Sequence, residues 1–566
     1  MNTELPTFGT NPENKSSFSG SFLLPIILLV VLIGGAAAWF YFKPLEQSLN
    51  TSSPISTDSN SRTDSVIIGV KSAPLGFYGQ EKVQYESPTF NFNSNIFEGL
   101  TTFTKDLKFA SRQLVESWDN PSDTVWRLRL RKGIKFHNGA DFSAEDAKFS
   151  IDFGKKYVVQ DDLAQVKEVR IVDPFTIEVE TQGPAPLLLN NLINVFVVNK
   201  KYAEANGGIK SKVDPESQEV SYFIDFPNPV GTGPYTYVSQ SDNEYKITAN
   251  ENYYLGPPKI KNVSYRVVED DNERAEAILS GKVDLIEDVP SARRADLVGS
   301  KDLEVKGVPS LRVIYLGMDT SSAKTKYSTS PTNPFKKLAV RQAIYKAIDE
   351  TEIISQVMGG HAYDATQPAT SVNFGFNPNL KRPAYNIAEA KELLSSAGYP
   401  NGFDIVLDVP NNRYQNDAAI GQRVVEQLAK VGIKATLNAQ PKEDFFPKIL
   451  DNKDTSFYLL GWSQENGDAG GAYGTLIHTT DEDAGYGSFN IGGYSNKSVD
   501  KLIESSDNTV DSVGRLKILQ DLASTTMADV PIIPLHQQED SFAISKRFNW
   551  TPRRDNGIRA FEITLK

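Results

Sequence analysis

The sequence predicts an α/β protein of two lobes carried behind a single membrane-spanning helix. Three observations lead there. The chain has 566 residues, 39% hydrophobic and 10% aromatic, more than one core can hold, since single cores stop growing near about 250 to 300 residues. Helical periodicity passes into strand alternation several times along the chain. Residues 22–42 (FLLPIILLVVLIGGAAAWFYF) carry no charge.

That apolar run comes first. At about 1.5 Å per residue it spans the roughly 30 Å hydrocarbon core of a bilayer. Trp39, Phe40, Tyr41 and Phe42 ahead of Lys43 have the character of an interfacial aromatic belt. Ala36-Ala37-Ala38 also satisfies a small-x-small cleavage site; the length of the run favours retention over cleavage. Lys15 and Lys43 balance across the segment, so positive charge leaves its orientation open. Residues 46–65 (EQSLNTSSPISTDSNSRTDS) are too polar to repay the entropy of ordering and read as a flexible tether.

Strand and helix signals begin at SVIIGV, residues 65–70. Trp126, Leu128 and Leu130 alternate as a strand, and Ser143-Ala144-Glu145-Asp146 has the spacing of a capping box opening a helix. Residues 276–287 (EAILSGKVDLIE) pass from helix to strand with Gly281 at the break. Residues 386–397 repeat the succession, with Gly398 as terminator and Phe403, Ile405, Leu407 and Val409 as the strand face. Ile420, Val424, Leu428 and Val431 share a helical face, Gly432 stops the helix, and Ile433, Ala435 and Leu437 alternate after it. Such units imply mixed α/β lobes rather than a sandwich or a bundle.

Composition narrows the chemistry. A net charge of -12 repels nucleic-acid backbones, and no basic cluster runs against it. With no cysteine, disulfides, thiolate metal sites, cysteine nucleophiles and a lipidated N-terminal cysteine are all excluded. His137, His361, His478 and His536 lack the pairing of a zinc-binding helix. No G-x-S-x-G elbow, P-loop or dinucleotide fingerprint occurs. Asp481-Glu482-Asp483 lacks the order of a calcium loop. The expectation is a protein without cofactor or metal that is not an enzyme. A carboxylate pair for hydrolysis, whose spacing is spatial, stays open as a minor alternative.

Several segments in order carry a family likeness: Ile96-Phe97-Glu98-Gly99-Leu100, Glu116-Ser117-Trp118, residues 128–139 (LRLRKGIKFHNG), Gly231-Thr232-Gly233-Pro234-Tyr235, Asn252-Tyr253-Tyr254, Val340-Arg341-Gln342-Ala343, Ala397-Gly398-Tyr399-Pro400, Gly461-Trp462, Tyr494-Ser495-Asn496 and Pro531-Ile532-Ile533-Pro534-Leu535-His536. In these the chain resembles the family 5 extracellular solute-binding proteins, the receptors of dipeptide, oligopeptide and nickel ABC importers. The resemblance implies a two-lobed, periplasmic-binding-protein-like clamshell of class II, whose first lobe is discontinuous. The layout expected is a cytoplasmic segment 1–21, the anchor 22–42, a linker 43–64, lobe I from 65–266 plus 537–566, and lobe II from 267–536. It implies an extracytoplasmic, monomeric receptor that hands a short peptide or similar zwitterionic solute to ABC permease subunits. A peptide sensor without transport is the second reading and an envelope hydrolase the third.

Two charged residues follow predicted strands, where open α/β sheets bind ligands: Arg413 after residues 403–409 and Glu465 after residues 456–462. The resemblance adds roles. Asn412-Arg413-Tyr414 matches the receptor segment whose arginine grips a peptide carboxylate, and Gly461-Trp462-Ser463-Gln464-Glu465-Asn466-Gly467-Asp468 the one whose acid holds the peptide amine. Arg413 is then the carboxylate clamp, Glu465 the amine anchor, Asp468 an alternative anchor, and Tyr414 and Trp462 walls of the pocket. The chain departs from those receptors at Lys442-Glu443-Asp444 and Ala469-Gly470-Gly471, which bears on the identity of the solute.

Overall fold

The computed structural model describes residues 64–78, 87–108, 113–160, 162–206, 208–213, 220–224 and 228–566. The apolar run 22–42 and the tether up to residue 63 lie outside these residues. Among the described residues no helix is long and apolar enough to cross a membrane.

One sheet organises the chain. Its strand order is Lys434–Gln440, Asp404–Pro410, Phe457–Ser463, Leu303–Met318, Ile532–Ser545, Leu285–Glu287, Ser65–Val70, Asn262–Val267, Glu244–Ala249 and Tyr235–Ser241, with Ala362–Asp364 paired off this path on Ile532–Ser545. Leu303–Met318 and Ile532–Ser545 are the long members and run antiparallel through the middle. They pair from Leu303 opposite Ser545 to Pro309 opposite Glu539, and again from Val313 opposite Gln537 to Gly317 opposite Ile532. Between Pro309 and Val313 the register shifts. Proline brings no N–H to the ladder, so the pairing yields there.

Side-chain alternation gives each half of the sheet two covered faces. In the first half Val66, Ile68, Leu285, Phe542 and Ile544 pack into one cluster with residues as far away as Phe92, Trp126 and Ile563, while Ile286 and Ala543 face a second cluster around Ala275, Ile278 and Leu297. In the second half Ile314, Leu316, Leu407, Val409 and Leu459 meet residues of the helices Leu338–Ala347, Ile387–Ser396 and Asp417–Ala429, and Tyr315, Tyr458 and Leu460 meet residues of Gly470–Leu476, Lys497–Asp507 and Ser512–Asp529. Strands buried on both faces, with helices over them, are the α/β solution to covering a sheet. The two sets of cores meet at the register shift.

The local expectations are met element by element. Ser143 caps the helix Ala144–Phe153, with its backbone N–H donating to the Asp146 carboxylate at 3.0 Å. Asn386 caps Ile387–Ser396, and Asp404–Pro410 follows as the buried strand. Ile420, Val424 and Leu428 are fully buried along Asp417–Ala429. The strand Lys434–Gln440, at the end of the sheet, is only partly buried. Three family-like segments converge on one carboxyl group: buried Glu98 accepts hydrogen bonds from Thr232 at 2.8 Å, Tyr253 at 2.8 Å and Tyr254 at 3.0 Å. Burial pushes the Glu98 carboxyl up to about 7 against those donors. A side chain at Gly231 would place its Cβ 2.0 Å from the Ile96 carbonyl oxygen, so glycine is what lets these segments touch. They hold the fold rather than a ligand.

Candidate functional site

The strands Asp404–Pro410 and Phe457–Ser463 run parallel, with Asp408 opposite Tyr458. Their carboxyl ends therefore emerge at the same edge of the sheet, and Arg413 and Glu465 follow them there. Both side chains are exposed.

The loop carrying Arg413 is held by Asp417, at the start of the next helix and 3% exposed. Its Oδ2 accepts the backbone N–H groups of both Arg413 and Tyr414 at 3.0 Å. Tyr414 lies buried beneath them, its hydroxyl 3.4 Å from the Gly461 carbonyl oxygen. The guanidinium of Arg413 stands 5.2 Å from the centre of the Tyr414 ring, and that of Arg312 stands 5.9 Å from it, distances of cation–π attraction. A Cβ at Gly461 would come within 2.8 Å of Tyr414 and 3.1 Å of Arg312. The missing side chain makes room for this stack.

The second loop is stiffened by its own side chains. Trp462 Nε1 donates to Gln464 Oε1 at 3.1 Å, Gln464 Nε2 donates to Asn466 Oδ1 at 2.6 Å, and that same oxygen accepts the Asp468 backbone N–H at 3.1 Å. Trp462 packs against Phe489 with ring centres 5.2 Å apart, and is turned to this internal network. Asp468 is 1% exposed. One of its oxygens lies 2.9 Å from Arg515 Nη2 and accepts the Gly470 N–H at 2.8 Å, while the other meets Arg515 Nη1. Both oxygens are thus engaged. Arg413, Tyr414 and Glu465 come to one edge, whereas Asp468 goes into the core.

Residues that sequence reading missed complete the junction. Arg312 sits within the register shift, directly across from Ser463. Asp540 lies opposite Val308 on the other long strand. Asn190, from the first half of the molecule, donates to the Asn466 carbonyl at 2.6 Å. Protein crowding raises the Glu465 carboxyl above its ordinary value; Arg312 and a hydrogen bond from Ser463 act against that, and Asp555 adds to it. Burial pushes Asp540 up to about 8; Asp288, Glu465 and Asp555 push the same way and Arg312 opposes them. Burial would raise the Asp555 carboxyl, but Arg553, Arg559 and the Gly557 N–H together hold it below the ordinary carboxylate value. Glu465 thus acts on Asp540 across the junction, and one cation, Arg312, acts on both. Nothing linear marks this group, since its members are far apart in the chain; the only hint was an arginine interrupting the apolar strand 308–318.

His536 lies next to the junction on Ile532–Ser545. It is fully buried, both ring nitrogens lack partners among the described residues, and burial brings its pKa down to about 4, so it is neutral. Among the described residues no group of three or more His, Asp or Glu side chains is arranged to hold a metal ion.

Comparison with known proteins places this geometry. The glutathione-binding protein GsiB of Pectobacterium atrosepticum is 27% identical over 467 residues, 80% of this chain and 85% of that protein. GsiB of Salmonella choleraesuis is 27% identical over 459 residues, covering 78% and 83%. Among solved structures, HbpA2 from Haemophilus parasuis superposes with a TM-score of 0.74 at 23% identity, over 89% of this chain and all of that one. The periplasmic binding protein DppA from Helicobacter pylori, in complex with the peptide STSA, gives 0.64 at 21% identity over 88% and 98%. The fold is that of the α/β periplasmic binding proteins. The model of the bacterial extracellular solute-binding proteins, family 5, matches residues 111–484, and the chain belongs to that family, the solute-binding proteins of ABC importers.

Proposed function

We propose that this protein is the membrane-anchored, extracytoplasmic receptor of an ABC importer, working as a monomer that captures short peptides or similar zwitterionic solutes and delivers them to a permease. The observation that carries the reading is the pair of parallel strand ends that bring an exposed guanidinium, Arg413, and an exposed carboxylate, Glu465, to one edge of the sheet beside the core junction. A guanidinium fork suits a carboxylate and a carboxylate suits an ammonium, so the two read the ends of a zwitterion. The glutathione of the GsiB relatives and the tetrapeptide of the DppA structure both belong to that class.

The division of the cores supports a clamshell whose lobes meet at the register shift. In this reading the expected lobe I, 65–266 plus 537–566, is extended to about residue 309 with the tail from about 539, and lobe II lies between. Residues 267–309 join lobe I because Ala275, Ile278 and Leu297 cover the same half of the sheet as Ser65–Val70. A ligand held from both lobes favours the closed form by its differential affinity.

Calorimetry of the full-length protein in detergent against dipeptides, tripeptides, glutathione and a capped control tests the function. Saturable binding of free peptides, lost on capping both ends, is the expected result; no binding of any peptide would remove the reading. The anchor is tested by protease added to intact cells, which should release a fragment beginning beyond residue 43. Protection of that fragment would reverse the topology.

A further inference from the structure

Three buried arginines, Arg341, Arg515 and Arg553, have their guanidinium groups held by several acceptors each. Arg341 donates to the carbonyls of Phe335, Asp529 and Val530 and to the Asp529 carboxylate. Arg515 holds Asp468 and the Ser506 carbonyl. Arg553 holds Asp555, Glu562 and the Phe103 carbonyl. Arg312 differs from these three: half-buried in the register shift, its guanidinium donates to no acceptor among the described residues, and the Tyr414 ring lies 5.9 Å from it. Taking a guanidinium partly out of water without filling its five donors has a cost that a partner would remove. The nearby carboxyls do not fill it, since no carboxylate oxygen of the described residues comes within 4 Å in an ion pair with it. Its place is also where the two long strands part and where the loop of Glu465 begins across the ladder at Ser463.

We propose that Arg312 is a solute-binding residue that takes a carboxylate of the bound solute, alongside Arg413. This rests on the peptide-receptor reading above and extends it: with two guanidiniums about Tyr414, the preferred solute is a short peptide presenting a carboxylate to each. One is its C-terminus and the other a side-chain carboxylate. The attraction that Arg312 exerts on Glu465 and Asp540 through space supports the placement, because a cation that reaches both acids also reaches a solute lying between them.

The test is calorimetry on the full-length protein and its Arg312→Met, Arg312→Lys and Arg413→Ala variants. The Met variant keeps the apolar stem against Tyr414. The probes are Ala-Glu, Ala-Gln, Ala-Glu carrying a C-terminal amide, and Ala-Ala. Arg312→Met should weaken Ala-Glu by roughly 30-fold or more, the loss typical of removing one member of a desolvated charge pair, and Arg312→Lys should recover part of it. Whichever carboxylate Arg312 takes is identified by the probe lacking it: that probe should bind wild type and Arg312→Met equally. Unliganded thermal unfolding should match wild type, since no hydrogen bond within the protein is lost. If wild type binds Ala-Glu and Arg312→Met binds it within about twofold, the assignment is overturned while the peptide reading stands. If both carboxylate-deleted probes still suffer the full Arg312→Met loss, Arg312 acts through the protein and the proposal is wrong. If wild type binds none of the four, the peptide reading falls, and this assignment with it.

Discussion

Glu465 and Asp468 stand on one loop, three positions apart, and the fold treats them in opposite ways. Asp468 is sealed inside with Arg515, every oxygen engaged. Glu465 remains open to solvent, while protein crowding and Asp555 raise its carboxyl above the ordinary value. The arginines follow the same division: Arg515 is filled, whereas Arg312 and Arg413 lie over Tyr414 with no ion-pair carboxylate within 4 Å among the described residues. A charge whose partner is built in serves stability, and a charge left unfilled at a junction of cores is available to a solute. Type and spacing in the sequence are nearly the same for both acids, so the difference lies wholly in what surrounds them.

The largest effect that would break or sharpen this contrast is on stability. Arg515→Ala strands the Asp468 carboxylate in the core, and losing one partner of a buried pair costs about 3 to 5 kcal/mol. Chemical denaturation should register that loss, whereas Glu465→Ala and Arg413→Ala should stay within about 0.5 kcal/mol of wild type. An Arg515→Ala protein of unchanged stability would mean that the closed pair does not hold the loop.

Binding should invert the order. Arg413→Ala and Glu465→Ala are each expected to weaken a free dipeptide by about 2 kcal/mol or more. The Arg413 effect should vanish on an amidated peptide and the Glu465 effect on an N-acetylated one, a coupling that double-mutant cycles across protein and ligand measure. Equal losses on capped and free peptides would show that the substitutions act on the fold.

A third effect depends on pH. Asp540 has its carboxyl raised from 3.8 to about 8, so between those values the folded protein holds a proton that the unfolded chain has released. Stability therefore falls as pH rises through that window, since stability drops wherever the folded state binds more protons. Asp540→Asn should remove this slope, raising the melting temperature most at pH 8 and leaving it unchanged below about pH 4. Parallel pH profiles for the two proteins would contradict the account.

The smallest effect belongs to Tyr414→Phe. It removes only a long hydroxyl contact to the Gly461 carbonyl, at 3.4 Å, and keeps the ring under both guanidiniums. Peptide affinity should change by less than about threefold; a greater loss would give the hydroxyl a direct part in holding the solute.

Much of the fold was legible because it is written in local periodicity. The face Ile420, Val424, Leu428, the cap at Ser143 and the helix within 386–397 need only nearest neighbours along the chain to act, and each forms where its spacing places it. The strand ends bearing Arg413 and Glu465 were legible for the same reason. Which strands cross was not. Leu303–Met318 and Ile532–Ser545 carry no local mark of each other, and their partnership joins segments more than two hundred residues apart.

The sequence by itself thus determined the α/β class, the elements around the site and the two charges that leave the sheet at one edge, because hydrophobic period and capping chemistry act over a few residues. Only the tertiary structure decided that Asp468 belongs to Arg515, that Arg312 stays unfilled within the register shift, and that Glu465 acts on Asp540. Pairing and desolvation depend on what long-range packing brings alongside a charge, and a linear chain does not encode that in any spacing of its own.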